Sequence, residues 1–175
     1  MRLIEGREFE MGSPAGELGR GGNETRHKVR LSGDYWMMSA PVTQDLYEAL
    51  MGENPSYFKG AKRPVEQVSW YDAVKFCNGL SRLEGYEEVY EIEEVCIKKP
   101  SSGFLGIGKT EGVWETKVSW SPSSNGYRLP TEAEWEKACR GGSKRATYGG
   151  DLTSEDGECE VLDVIAWYDE NSGGE

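Results

Sequence analysis

The sequence predicts an α+β domain made of short helices and strands that are joined by many loops. Three segments carry the start and stop signals of helices: Thr43–Gly52, Ser69–Gly85 and Thr131–Gly142. Two others, Val89–Ile97 and Val113–Trp120, are rich in residues that favour strands. The chain also contains 23 glycines and 7 prolines, so its regular elements should be short. We therefore expect a loop-rich fold with about three helices.

The strongest helix prediction lies in Tyr127–Gly142, which reads YRLPTEAEWEKACRGG. Thr131 and Glu134 have the spacing of a capping box, in which each satisfies a backbone amide of the first turn. Gly141 and Gly142 follow the last turn and should end the helix. Apolar residues at i, i+3 and i+4 should form its buried stripe: Trp135, Ala138 and Cys139.

The other elements follow from similar patterns. Thr43 should begin the first helix, and Ser69 with Asp72 should begin the second. The second helix should bury a stripe that includes Trp70, Ala73, Val74, Cys77 and Leu80. Near the N-terminus, Arg2–Glu5 and Glu8–Met11 are expected to pair as a hairpin around Gly6. Trp114, Thr116, Val118 and Trp120 alternate as they would on a half-buried strand.

The charge and composition of the chain disfavour several classes of function. The chain of 175 residues has 20 basic and 31 acidic residues, a net charge of −11, which disfavours binding to nucleic acid or to anionic membranes. It has no apolar run approaching the roughly 20 residues of a transmembrane helix. These observations predict a soluble, cytoplasmic protein. Its four cysteines lack a C-x-x-C pair and are expected to be reduced and mostly buried.

A string that matches a nucleotide-binding loop lies at Gly103–Thr110. Such a loop needs a buried strand before it and a helix N-terminus after it, where backbone amides bind phosphate. The residues after Thr110 favour a strand instead, so we interpret 98–112 as an inserted hairpin. A P-loop nucleotide-binding protein remains a remote alternative. The single histidine, His27, favours a structural role over catalysis because no nucleophile is paired with it in the sequence.

Several ordered blocks resemble the formylglycine-generating enzyme family, whose domain is also called the sulfatase-modifying factor domain. Besides Tyr127–Gly142, they are Phe9–Ser13, Glu24 with His27–Val29, Tyr35–Met37, Pro41–Thr43, Pro64–Trp70 with Asp72–Ala73 and Phe76–Asn78, and Ala166–Gly174. The resemblance implies one α+β domain over residues 1–175, related to C-type lectins. It also implies that the domain is truncated at its C-terminus.

The family's activity is the copper-dependent oxidation of a sulfatase cysteine to formylglycine. In the family, two cysteines near the C-terminus hold copper(I), and this sequence ends at Glu175 before the blocks that would carry them. Cys139 is expected to be buried, and the acidic surroundings of Cys159 are expected to raise its thiol pKa, so neither should replace that pair. The resulting hypothesis is a non-catalytic binding or scaffold module, a pseudoenzyme. The alternative is the N-terminal portion of an active formylglycine-generating oxidase.

The resemblance also implies a partial calcium site. Family members bind calcium through an asparagine side chain and an adjacent backbone carbonyl, at positions that match Asn171 and Ser172. Calcium requires six to eight oxygen ligands, roughly, so a site reduced to these residues should bind weakly. The expected partners are a protein, either a sulfatase-like substrate or a missing C-terminal half. Exposed strand edges and aromatic residues would also favour self-association.

Overall fold

The computed structural model describes residues 1–100, 110–154, 158–166, 168 and 171–173. Its elements divide between two compact units, Met1–Val42 with Pro130–Glu175 and Thr43–Leu129. In chain order the strands are β1 (Arg2–Ile4), β2 (Glu8–Met11), β3 (His27–Arg30), β4 (Tyr35–Met37), β5 (Tyr90–Pro100) and β6 (Thr110–Trp120). The helices are α1 (Gln44–Met51), α2 (Trp70–Glu84), α3 (Glu132–Arg140) and α4 (Glu160–Ile165).

The first unit contains two antiparallel strand pairs, and neither is the hairpin that the sequence predicted. β1 pairs with β4 and β2 pairs with β3, so the expected pairing of Arg2–Glu5 with Glu8–Met11 is wrong. At Gly6 the chain passes very close to the backbone of Gly33, whose carbonyl oxygen would lie 2.2 Å from an added Cβ. The Gly6 amide also donates to Asp34 Oδ1 at 2.7 Å. This close crossing separates β1 from β2 and leaves each to pair with a later strand.

Helix α3 begins at the capping box that the sequence predicted. Thr131 Oγ1 accepts from the Glu134 amide, and the Glu134 carboxylate accepts from the Thr131 amide. The helix ends at Gly141, whose φ of 54° lies in the left-handed region. The structure therefore confirms both the predicted N-terminal cap of α3 and its predicted end at Gly141.

The buried stripe predicted for α3 is wrong. Trp135 is 56% exposed and Cys139 is also exposed. The helix instead contacts the end of β2 through polar groups. The Gly12 amide donates to Glu136 Oε1, and Arg140 Nη2 donates to the Gly12 carbonyl at 2.9 Å. Because the backbone at Gly12 offers an amide and a carbonyl, the charged side of α3 packs against it. The hydrophobic pattern of the helix cannot predict this contact.

The second unit has its core between α1 and α2. Tyr47 and Phe76 stack with their ring centroids 5.5 Å apart, and Val74, Cys77 and Leu80 are buried beside them. Ser69 and Asp72 form the predicted capping box of α2. Trp70 was expected in the buried stripe but is 52% exposed, because it occupies the first turn, beyond the part of α2 that faces the core.

Gln44 organises the loop that joins these two helices. Its side-chain nitrogen donates to the carbonyls of Phe58 and Pro64, and its side-chain oxygen accepts from Asn54 and the Gly60 amide. The residue is 1% exposed, so these bonds satisfy a buried polar group. Strands β5 and β6 then form a long antiparallel pair that extends from Tyr90↔Trp120 to Pro100↔Thr110.

Candidate functional site

The proposed calcium residues lie in a tight turn after α4. Asn171 Oδ1 accepts from the Tyr168 amide at 2.8 Å, and Asn171 Nδ2 donates to the Ala166 carbonyl at 2.9 Å. The Ser172 amide donates to the Tyr168 carbonyl, so both residues take part in one turn. The Asn171 carbonyl oxygen keeps a second lone pair for a cation. It is one ligand of the several that calcium needs, and the calcium site stays a prediction.

No group of three or more His, Cys, Asp or Glu residues that could hold a metal ion occurs in the described part of the chain. His27 is exposed at the start of β3, with its Nδ1 2.8 Å from the Thr25 carbonyl oxygen. The string Gly103–Thr110 lies outside the described residues except for Thr110. That residue begins β6, a strand, where a nucleotide-binding loop would begin a helix.

The four cysteines are all free thiols, and they occupy different environments. Cys77 is buried, and this burial raises its pKa to about 11. Cys159 is also buried, but hydrogen bonds from the Thr153 backbone and hydroxyl lower its pKa to about 7. Our expectation of a raised pKa at Cys159 was therefore wrong. The nearby acidic residues do not decide this pKa, because a thiolate is stabilised mainly by the donors that point at it.

Large aromatic side chains are exposed on the second unit, and they form the best candidate for a binding surface. Trp114 and Trp120 lie on the same face of β6, and their side chains are 68% and 51% exposed. Trp70 and Tyr71 lie at the start of α2, with their ring centroids 5.3 Å apart in an edge-to-face pair. The Tyr71 hydroxyl donates to the Thr116 carbonyl at 3.4 Å, which places this pair beside β6. We call Trp70, Tyr71, Trp114 and Trp120 the aromatic surface.

Polar groups lie at one end of the aromatic surface. The Arg128 guanidinium lies 5.9 Å from the centre of the Trp120 ring, within the range of a cation–π contact. A groove of about 590 Å³ adjoins Trp120 and is also lined by Lys75, Asn78 and Ser119. Tryptophan, tyrosine and arginine are the residues that contribute most often to the energetic centres of protein interfaces. The surface therefore has the chemistry of a protein-binding site.

The sequence pattern did not predict this surface, because it placed Trp70 on a buried helix stripe and Trp114 and Trp120 on a half-buried strand. The alternation of Trp114, Thr116, Val118 and Trp120 correctly indicated a single face of β6. It could not tell which face of the strand would be covered. The sequence offers one signal, its six tryptophans in 175 residues, because tryptophan is large and is rarely fully buried.

Residues 1–171 of this chain match the sequence family described as the sulfatase-modifying factor enzyme 1-like domain. The chain belongs to the sulfatase-modifying factor family. The resemblance seen in the sequence is thereby confirmed, and so is the expected loop-rich α+β fold. No helix in the described part of this sulfatase-modifying factor domain is long and apolar enough to cross a membrane.

This sulfatase-modifying factor domain is similar to two known proteins along most of its length. It is 37% identical over 142 residues to the chaperone protein LppX of Paenibacillus barcinonensis, in a match that covers 80% of this chain and 46% of that protein. The solved structure of Treponema denticola variable protein 1 superposes with a TM-score of 0.70 and 31% identity. That match covers 99% of this chain and 62% of the other. The chain thus spans about half to two-thirds of the length of these relatives.

Proposed function

We propose that this sulfatase-modifying factor domain is a non-catalytic protein-binding module that holds apolar segments of a partner protein on its aromatic surface. The observation that carries the proposal is the exposure of Trp114 and Trp120 on one face of β6, beside Trp70 and Tyr71. Exposed apolar surface of this kind is typical of interaction sites in soluble domains. The LppX relative is named a chaperone protein, which supports such a role.

The backbone pairing of β6 with β5 supports the same proposal. β6 is paired with β5 along its length, and Trp120 faces Tyr90 across the pair. The main chain that presents the aromatic rings is therefore hydrogen-bonded to β5 before any partner binds. A preformed aromatic surface loses little conformational entropy on binding, which favours affinity for short apolar segments.

A binding assay with an aggregating client tests this function. Reduced insulin B chain aggregates visibly, and an equimolar amount of this chain should suppress its light scattering. The double variant Trp114→Ala/Trp120→Ala should lose most of the suppression. Trp135→Ala is the matched control, because Trp135 is similarly exposed but lies on α3 in the other unit.

Thermal melting of each variant checks that the loss does not come from unfolding. Equal suppression by the double variant and by wild type would contradict the proposal. So would an equal loss of suppression in Trp135→Ala, since that result would mean that any exposed tryptophan suffices.

The alternative function is cysteine oxidation, which family membership favours. It is tested separately by incubating the chain with copper, oxygen, a thiol reductant as electron donor and a cysteine-containing sulfatase peptide, followed by mass spectrometry. We expect the cysteine to remain unmodified. Conversion of the cysteine to formylglycine would replace the proposed non-catalytic function with the oxidase.

A further inference from the structure

A second groove lies in the first unit, between the strands near the N-terminus and the C-terminal end of α3. Its volume is about 720 Å³, and its apolar wall includes Leu3, Ile4 and Phe9. It is distinct from the aromatic surface, whose residues all lie in the other unit. The cationic side chains that line it are Arg7, Arg26, Lys28, Lys137, Arg140 and Lys144.

The charge of this groove is opposite in sign to that of the whole chain. Six cationic side chains line it against three carboxylates, Glu5, Glu8 and Glu10, while the chain as a whole carries −11. At an ionic strength of about 0.1 M, charges more than about 10 Å away are largely screened. A ligand inside the groove therefore responds mainly to the charged side chains that line it, of which the cations are the majority.

Each of the three lining carboxylates forms an ion pair with a cation of the same groove. Glu5 pairs with Arg7 at 2.7 Å, Glu8 with Lys28 at 3.3 Å and Glu10 with Arg26 at 3.2 Å. Arg140 pairs with Glu136, a neighbour on α3. The remaining lining cations are Lys137 and Lys144. They supply the positive charge that no carboxylate of the groove offsets.

Lys137 is held in place without a carboxylate partner. Its Nζ lies 5.1 Å from the centre of the Phe9 ring and donates to the Arg7 carbonyl at 3.3 Å. Both contacts leave the ammonium charge in full and fix it beside an apolar ring. Lys144 has no ion-pair or hydrogen-bond partner within the described part of the chain. Lys137, held by these contacts, and Lys144 thus lie along one groove that also has an apolar wall.

We propose that this groove binds an extended acidic segment of a partner protein, in which carboxylates alternate with apolar residues. The carboxylates would pair with Lys137 and Lys144, and the apolar residues would lie against Leu3 and Phe9. Charge complementarity selects this occupant, since a basic or purely apolar segment would leave both ammonium groups unpaired. The site is separate from the aromatic surface and does not depend on the function proposed for it.

Fluorescence anisotropy with two labelled peptides tests the site. One peptide alternates Glu with Leu, and the other replaces each Glu by Gln. Wild type should bind the Glu peptide more tightly than the Gln peptide. Lys137→Gln and Lys144→Gln should each weaken binding of the Glu peptide by about threefold and, together, by about tenfold. Binding should also weaken when the ionic strength rises from about 0.1 M to about 1 M.

Lys59→Gln is the matched control, because Lys59 also donates to a backbone carbonyl, that of Asn54, but lies in the other unit. It should bind the Glu peptide as wild type does, and so should Trp114→Ala/Trp120→Ala. Equal affinity for both peptides, no binding of either, or equal weakening by Lys59→Gln would overturn the proposal. A dimer in sedimentation experiments that the double lysine variant dissociates would assign the groove to a second copy of this chain instead.

Discussion

Asn78 holds the backbone of Tyr90 by both ends of its side-chain amide. Its Nδ2 donates to the Tyr90 carbonyl at 2.6 Å, and its Oδ1 accepts from the Tyr90 amide at 3.1 Å. Asn78 is 4% exposed and lies in the middle of α2, whereas Tyr90 is the first residue of β5. Asn78 therefore attaches the start of the strand pair that presents the aromatic surface to α2.

Removing that attachment should destabilise the second unit. Asn78→Ala leaves two backbone groups of Tyr90 without these partners, which should cost about 2 kcal/mol of unfolding free energy. Asn125→Ala is a suitable control, because Asn125 accepts from the Glu87 amide but is exposed. Urea unfolding measures both variants. Equal small losses in the two would mean that the Asn78 bonds contribute no more than a solvent-exposed one.

The cap of α3 should contribute a measurable share of stability. Thr131→Ala removes the side-chain oxygen that accepts from the Glu134 amide, and the expected loss is about 1 kcal/mol. Thr131→Ser retains that oxygen and should unfold at nearly the wild-type urea concentration. A Ser variant as unstable as the Ala variant would show that the threonine methyl group, rather than the cap, matters here.

The helix boundaries of this fold could be predicted from the sequence, whereas the pairing of its strands could not. The helix boundaries were predictable because Ser69, Asp72, Thr131 and Glu134 act on backbone groups within four residues of themselves. The pairing of β1 with β4 was not, because it depends on the distant approach of Gly6 to Gly33. Local signals fix elements, whereas partners that are far apart in sequence decide how those elements pair.

The candidate sites were harder to predict for the same reason. The exposure of Trp135 depends on which face of α3 meets β2, and polar contacts to Gly12 decide that. The groove of the first unit combines residues from positions 3 to 28 with residues from 137 to 144. No spacing in the sequence relates Lys137 to Phe9, although they are 5.1 Å apart in the fold.

The thiol of Cys159 should make stability depend on pH. Its folded pKa is about 7, below the ordinary value of 9.0, because donors from Thr153 favour the thiolate. A lowered pKa adds stability that is present above pH 9 and is lost as the pH falls through about 7. The urea midpoint of wild type should therefore rise relative to Cys159→Ser between these two pH values. A difference that does not change with pH would contradict the lowered pKa.

Calcium binding at Asn171 is a separate prediction. The Asn171 side chain offers one carbonyl oxygen, so we expect a weak site with a dissociation constant of about 1 mM or higher. Calcium should raise the melting temperature of wild type slightly more than magnesium does. Asn171→Asp adds a charged ligand and should enlarge this calcium effect, whereas Asn171→Ala should abolish it. An unchanged calcium effect in Asn171→Ala would place the ion elsewhere.

The most direct test of the central proposal is the light scattering of reduced insulin B chain in the presence of wild type, Trp114→Ala/Trp120→Ala and Trp135→Ala. Our account predicts that wild type and Trp135→Ala suppress aggregation equally and that the double variant largely fails, although all three are folded. Suppression that the double variant retains in full would contradict binding through the aromatic surface.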